Sequence, residues 1–213
     1  MSGAQVTNPP LRPLRIGLTG PIGCGKSTVA GWLAERPGVV AIDADRLARE
    51  VLAPGTVEVG AVYARFGEAL RAADGNLDRA ALGRIVFADP VALRDLESIV
   101  HPAVRVRVSA MLREAERGGA VAVVIEAIKL VEGGLAALCD EVWLVTCDRA
   151  VQRSRLVGRG TSADDAAARI AAQGDLARRL RSAATFVLDT SGASEAVRRS
   201  AEDRLARMLS RTA

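Results

Sequence analysis

The sequence predicts an α/β chain built on a parallel sheet, and three observations carry that expectation. Near-continuous apolar runs recur with helical patterns between them, as strands buried on both faces require. A glycine-rich turn joins the first apolar run directly to the first helical pattern. Acidic or polar residues stand where the runs stop, at the edge where open α/β sheets place their ligands.

Taken in order, Leu14-Arg15-Ile16-Gly17-Leu18-Thr19 reads as the first strand. Lys26 through Arg36 carries apolar residues at helical spacing and stops at Pro37-Gly38. Val39 to Ile42 forms a second strand, ending in Asp43-Ala44-Asp45. Val121 to Ile125 forms a third, ending in Glu126, and Val142 to Val145 a fourth, ending in Thr146. Phe186-Val187-Leu188 with Asp189 makes a weaker fifth. The roughly eighty residues between the second and third strands far exceed what a crossover needs, so about 46–118 reads as a helical insertion. The Arg-rich helical stretch of about 149–183 reads as a mobile cover, or lid. The Pro-rich residues 1–13 read as a disordered tail. That leaves 14–213 as a single domain with its core in 14–45, 119–148 and 184–209.

Composition narrows the function classes. No run of apolar residues is long enough to span a bilayer, and the first ten residues lack a basic start followed by an apolar run, so a cytoplasmic protein without a membrane partner is expected. Three cysteines without CxxC spacing and a single histidine argue against a disulfide framework or a zinc site. All three cysteines are expected to be free thiols. The formal charge of +4 suits nucleic acid or polyphosphate substrates equally. Aromatic residues make up only 3% of the chain, too few for stacking platforms, and no nucleic-acid partner is expected. Of the 29 basic residues all but Lys26 and Lys129 are arginine. That contrast draws attention to both lysines, because a compact ammonium reaches places a planar guanidinium does not fit.

The glycine-rich turn carries the chemistry. Gly20-Pro21-Ile22-Gly23-Cys24-Gly25-Lys26-Ser27 matches G-x-x-x-x-G-K-[ST] in full, in its proper place between strand and helix. Such a loop wraps a nucleotide's phosphates with backbone N–H groups at a helix N-terminus. On that reading Gly20, Gly23, Cys24, Gly25 and Thr28 line the phosphates, Lys26 reaches the β/γ-phosphates, and the Ser27 hydroxyl meets Mg²⁺. ATP and Mg²⁺ are the cofactors this implies. Cys24 reads as a small loop residue rather than a nucleophile. Asp45 has two readings: a helix N-cap, or the carboxylate that orients or deprotonates an attacking hydroxyl.

Longer stretches resemble one family. Leu18 to Thr28, then Ile42-Asp43-Ala44-Asp45-Arg46-Leu47-Ala48-Arg49-Glu50-Val51, are similar to dephospho-coenzyme A kinases. Pro54-Gly55, Phe66-Gly67, Asp74-Gly75, Ile99-Val100-His101-Pro102 and Ala168 to Gln173 continue the likeness from about residue 14 to 209. The resemblance implies a P-loop kinase core with a five-stranded parallel sheet, a helical coenzyme A insertion and a helical lid. It implies phosphorylation of the ribose 3′-hydroxyl of dephospho-coenzyme A by ATP, the last step of coenzyme A synthesis. The alternative is a nucleoside or nucleoside-monophosphate kinase of the same class. A guanine-reading Asn-Lys-x-Asp element, which a switch GTPase would carry, does not occur.

The resemblance also assigns roles. Asp45 matches the catalytic aspartate, Arg49 and His101 match positions near the acceptor, and Arg159 is the lid arginine expected to neutralise the transferring phosphoryl group, with Arg153 and Arg155 as alternates. For His101 the residues alone favour a capping or packing role. Two blocks depart from the family. Glu126-Ala127-Ile128-Lys129-Leu130-Val131-Glu132 stands where the family usually has Asp-x-Pro-Leu-Leu-x-Glu, so Glu126 is expected near Mg²⁺ and Lys129 joins Arg49 and His101 as a candidate substrate contact. Gly160 follows Arg159 where the family commonly has Asp, and Thr190-Ser191-Gly192 holds the place of an Asn-x-Gly element. The chain is read as a monomer or weak homo-oligomer.

Overall fold

The computed structural model describes residues 12–212. Five parallel strands form one sheet in the order β2-β3-β1-β4-β5: β1 is Leu14–Thr19, β2 Val39–Asp43, β3 Ala122–Glu126, β4 Glu141–Thr146 and β5 Phe186–Asp189. Every apolar run read as a strand is a strand, and the outermost two explain why one run was weak. The central β3 is buried at all five positions. Edge strand β2 leaves Val40 and Ala41 exposed, and β5 buries only Leu188 fully. An edge strand has a neighbour on one side only, so its side chains are covered less completely than those of β3.

The helices are α1 Lys26–Ala34, α2 Ala44–Glu50, α3 Val57–Phe66, α4 Arg79–Ala88, α5 Pro90–Arg117, α6 Arg149–Val157, α7 Ala163–Gln173, α8 Leu176–Leu180 and α9 Ser194–Thr212. Helix α1 stops two residues before the expected Arg36. Its last turn tightens, with Arg36 N–H donating to the Leu33 carbonyl at 3.2 Å, before Pro37 closes the helical path.

Among the described residues the chain divides into two compact units, one running through Asp43 and resuming at Met111, the other Ala44–Ala110. In the first, Ile16, Leu18, Val124, Trp143 and Val145 of the sheet share a core with Val29 and Leu33 of α1 and Ala201 and Leu205 of α9. The other face packs Leu144 against Leu176 and Leu180 of α8. A Cβ at Gly17 would lie 2.5 Å from Leu130 Cδ2, so the missing side chain lets fully buried Leu130 close over β1.

In the second unit, Thr56 caps α3 by accepting from Val59 N–H at 3.2 Å, while its hydroxyl donates to the Val51 carbonyl at 2.7 Å. Asp78 caps α4 by accepting from Ala81 N–H at 2.8 Å. Asp74-Gly75, with Gly75 at φ 80°, turns the chain between the bridged residues Arg71 and Leu77. Of the expected disordered tail only Arg12 and Pro13 fall among the described residues, where Arg12 pairs with Asp140 and Pro13 is buried.

Candidate active site

The parallel register lines up the carboxyl ends of the strands. Glu126 is the partner of Leu18 on one side and of Asp43 on the other, and Thr146 is the partner of Asp189. β1 feeds directly into the loop Gly20–Gly25, whose shape depends on glycine. Gly20, Gly23 and Gly25 have φ of 142°, 76° and 87°, values L side chains rarely adopt. At Gly20 space is also exhausted, since a Cβ would stand 2.1 Å from the Val145 carbonyl oxygen of β4.

The loop ends at Gly25, the N-cap of α1, which offers no side chain to the first N–H groups of the helix. A nine-residue helix with an uncapped start presents donors and positive potential to an anion. Lys26 lies inside this loop, only 5% exposed, its ammonium donating to the carbonyls of Gly20 at 2.9 Å and Pro21 at 3.1 Å. The exposed Ser27 donates its hydroxyl to Glu126 Oε1 at 2.7 Å, and Glu126 is 8% exposed. This juxtaposition of hydroxyl and carboxylate is the oxygen donor set a small hard cation takes when substrate phosphates supply further ligands. Among the described residues no group of three His, Cys, Asp or Glu side chains is placed to hold a metal ion.

The loop is braced by residues that sequence reasoning did not select. Gln152 of α6, nearly buried, donates to the Ile22 carbonyl at 2.6 Å, and the Gln173 side chain at the end of α7 accepts from Ile22 N–H at 2.9 Å. Gln173 closes the run Ala168 to Gln173 that carried the resemblance, so a signal for it existed; Gln152 sits unmarked in an Arg-rich helix. Buried Thr190 donates to the Cys24 carbonyl at 2.9 Å and receives Arg155 Nη1 at 2.8 Å, while Arg155 Nη2 donates to the Thr190 carbonyl at 2.7 Å. Of the three arginines named for the lid, the structure sets Arg155 beside the loop, 3.5 Å from where a Cβ on Gly25 would be. Arg159 is exposed in the turn after α6, and Arg153 is exposed on α6 itself.

Cys24 is buried, and its Sγ lies 2.8 Å from Sγ of half-buried Cys147, the residue after β4. Both are free thiols, as is Cys139. The hydrogen bond shared with Cys147, reinforced by burial, raises the Cys24 thiol; the same bond, aided by Arg155, holds Cys147 below the ordinary thiol range. Burial pushes Cys139 up to about 12.

After β3 the chain turns without the family's proline. Gly133 N–H donates to the Lys129 carbonyl at 2.7 Å and Ala136 N–H to that of Leu130 at 3.0 Å, so glycine-assisted turns reverse the chain in its place. Lys129 is exposed in that turn. In the second unit Asp45 is half-buried in the first turn of α2, one residue inside the helix rather than at its N-cap. Arg49 is exposed near the end of the same helix, its carbonyl receiving Arg79 Nη2 at 2.7 Å. His101 is half-buried in α5 and followed within the helix by Pro102.

Comparison with known proteins places this geometry. The family model described as dephospho-CoA kinase matches residues 14–195. A dephospho-CoA kinase of Streptomyces avermitilis is 48% identical over 193 residues, covering 89% of this chain and 91% of that protein. One of Geobacter sulfurreducens is 43% identical over 189 residues, covering 88% and 95%. Among solved structures, a Thermus thermophilus protein superposes with a TM-score of 0.75 at 34% identity, covering 92% of this chain and 98% of its own. A shikimate kinase of Acinetobacter baumannii, at 18% identity, TM-score 0.54 and coverage of 93% and 94%, shares the fold. With the loop, its lysine and the surrounding sheet all in place, the chain belongs to the dephospho-CoA kinase family.

Proposed function

We propose that this chain transfers the terminal phosphoryl group of ATP to the ribose 3′-hydroxyl of dephospho-CoA, giving CoA and ADP. Family membership supports the acceptor. The observation that carries the phosphoryl chemistry is the complete phosphate loop with Lys26 held inside it and Ser27 bonded to Glu126.

In the reaction the acceptor oxygen forms a bond to the γ-phosphorus as the bond from that phosphorus to the β,γ-bridging oxygen breaks. ADP leaves with the electron pair, and the hydroxyl proton passes to a base. Asp45 is the proposed base, in keeping with its matching block and its half-buried setting. The N–H groups at the start of α1 and the Lys26 ammonium neutralise phosphate charge where it accumulates. Ser27 and Glu126 are the residues that would hold Mg²⁺, which would supply positive charge to offset that of the phosphates. Arg155 is proposed beside the nucleotide from its place at the loop, with Arg159 reaching the transferring group from the lid. Arg49, His101 and Lys129 are proposed acceptor contacts. The reaction is assigned to the cytoplasm, where free thiols such as those of this chain are the usual cysteine state.

The test is an acceptor panel. Purified protein given Mg-ATP should release ADP with dephospho-CoA and not with nucleosides or nucleoside monophosphates. Release driven by a nucleoside instead would reassign the acceptor.

A further inference from the structure

Neither thiol takes part in the phosphoryl-transfer steps, yet Cys24 in the phosphate loop and Cys147 just after β4 lie sulfur against sulfur. The geometry points to an oxidisable dithiol: Cys24 and Cys147 join in a reversible disulfide when a small peroxide reaches Cys147, and the link disables the loop.

Three observations converge on it. The sulfurs are 2.8 Å apart although 123 residues separate them in the chain, and an S–S bond of about 2.05 Å needs less than about 1 Å of further approach. The two partners differ in access. Cys147 is half-buried at the strand end, open to a small reagent, whereas Cys24 is 1% exposed and reaches solvent poorly. The surroundings divide the roles in the same way. The hydrogen bond shared by the two sulfurs, and after it Arg155, favours a thiolate at Cys147 against burial and the opposing charges of Asp189 and Asp148. An accessible, acid-shifted thiol beside a resolving thiol is the arrangement of redox-sensing cysteines. Cys139, on the other side of the sheet with its Sγ 3.4 Å from the Leu135 carbonyl, has no such partner among the described cysteines.

The chemistry balances with hydrogen peroxide as the oxidant. The Cys147 thiolate attacks one peroxide oxygen, the O–O bond breaks, and Cys147 becomes a sulfenic acid with hydroxide as the leaving group. Cys24 sulfur then attacks Cys147 sulfur, the S–O bond breaks, and the departing hydroxide takes the Cys24 proton as water. Two thiols are oxidised by two electrons and one peroxide is reduced to two waters; a thiol such as dithiothreitol reverses the link by exchange.

The effect on turnover rests on the proposed ATP site, while the cross-link itself does not. Cys24 sits between Gly23 and Gly25, whose left-handed backbones set the direction of the loop, and its carbonyl is held by Thr190. Drawing its side chain toward β4 displaces the donors around it, and a misplacement on the order of 1 Å can cost about a hundredfold in rate.

The experiment treats the full chain with hydrogen peroxide, then reads intact mass, a non-reducing peptide map and ATP turnover before and after dithiothreitol, with Cys147→Ser alongside. The expected result is a loss of two hydrogens, a peptide linking Cys24 to Cys147, a fall in turnover of about tenfold or more that dithiothreitol restores, and a Cys147→Ser protein of ordinary basal turnover that resists peroxide. Sulfinic acid at Cys147 without the link would overturn the proposal, as would a linked protein turning over at the untreated rate. The wild-type peptide map decides the linkage even if the variant folds poorly, and it does so whatever the acceptor proves to be.

Discussion

Lys26 shows how much one side chain is constrained. Its ammonium is nearly buried and fixed by two carbonyls of its own loop, in a chain that otherwise uses arginine almost everywhere. Lys26→Ala should lower kcat by about a hundredfold or more while leaving the circular dichroism and melting curve near those of the parent. Lys26→Arg should fail comparably, because a planar five-donor fork does not fit where a point charge is held. Asp45→Ala should likewise abolish turnover without unfolding the protein; a near-parental rate would remove Asp45 from the mechanism. For Glu126→Gln, Ser27 keeps a hydrogen-bond acceptor but the site loses a charge. The expected outcome is a Mg²⁺ requirement raised about tenfold or more in a metal titration of turnover. An unchanged requirement would move the metal away from Glu126.

At the scale of elements, β1 and β4 are held together at both ends. At the exit, Gly20 faces the Val145 carbonyl so closely that the fold forbids a Cβ. Gly20→Ala should destabilise the protein by about 2–4 kcal/mol, because a backbone carbonyl and not a movable side chain stands in the way. At the entry, Arg12 donates twice to the Asp140 carboxylate and Arg15 N–H donates to it at 2.8 Å. Burial pushes that carboxyl up, but the hydrogen bonds from Arg12 and Arg15 outweigh it, and the net shift is below the ordinary Asp value. A carboxylate depressed on folding contributes stability above its unfolded pKa of about 3.9, lost as pH falls through the lower folded value. Asp140→Asn should therefore melt below the parent at neutral pH, and the gap should narrow under about pH 4. A gap constant across that range would show that the charge is not what Asp140 contributes.

The same elements show what was readable in advance. Periodicity marks β1 and β3 sharply because both are covered on each side, and it blurs at β5 because an edge strand is only partly buried. The strand order is absent from any local pattern, since it is decided by which strands the long crossovers bring together. The phosphate loop was legible because all its parts are contiguous, and Glu126 because a carboxylate ended a buried run. The resemblance singled out Arg159 and left Arg155 an alternate, since arginine is too common in this chain to stand out; only the fold sets Arg155 against Thr190. The Cys24–Cys147 approach and the Gln152–Ile22 bond join residues more than a hundred positions apart, with no spacing rule to announce them.

For the molecule as a whole, one compact unit supplies the complete phosphate loop and the other carries Asp45, Arg49 and His101. A kinase needs both a phosphoryl donor site and an acceptor that excludes water as a competitor. The proposed reaction therefore couples ATP consumption to one acceptor. The direct measurement is ADP release by the purified chain with Mg-ATP, in the presence and absence of dephospho-CoA, with CoA followed as product. Release that depends on dephospho-CoA and matches CoA formation one for one is the predicted result. ADP release indifferent to dephospho-CoA, with no CoA formed, would contradict it.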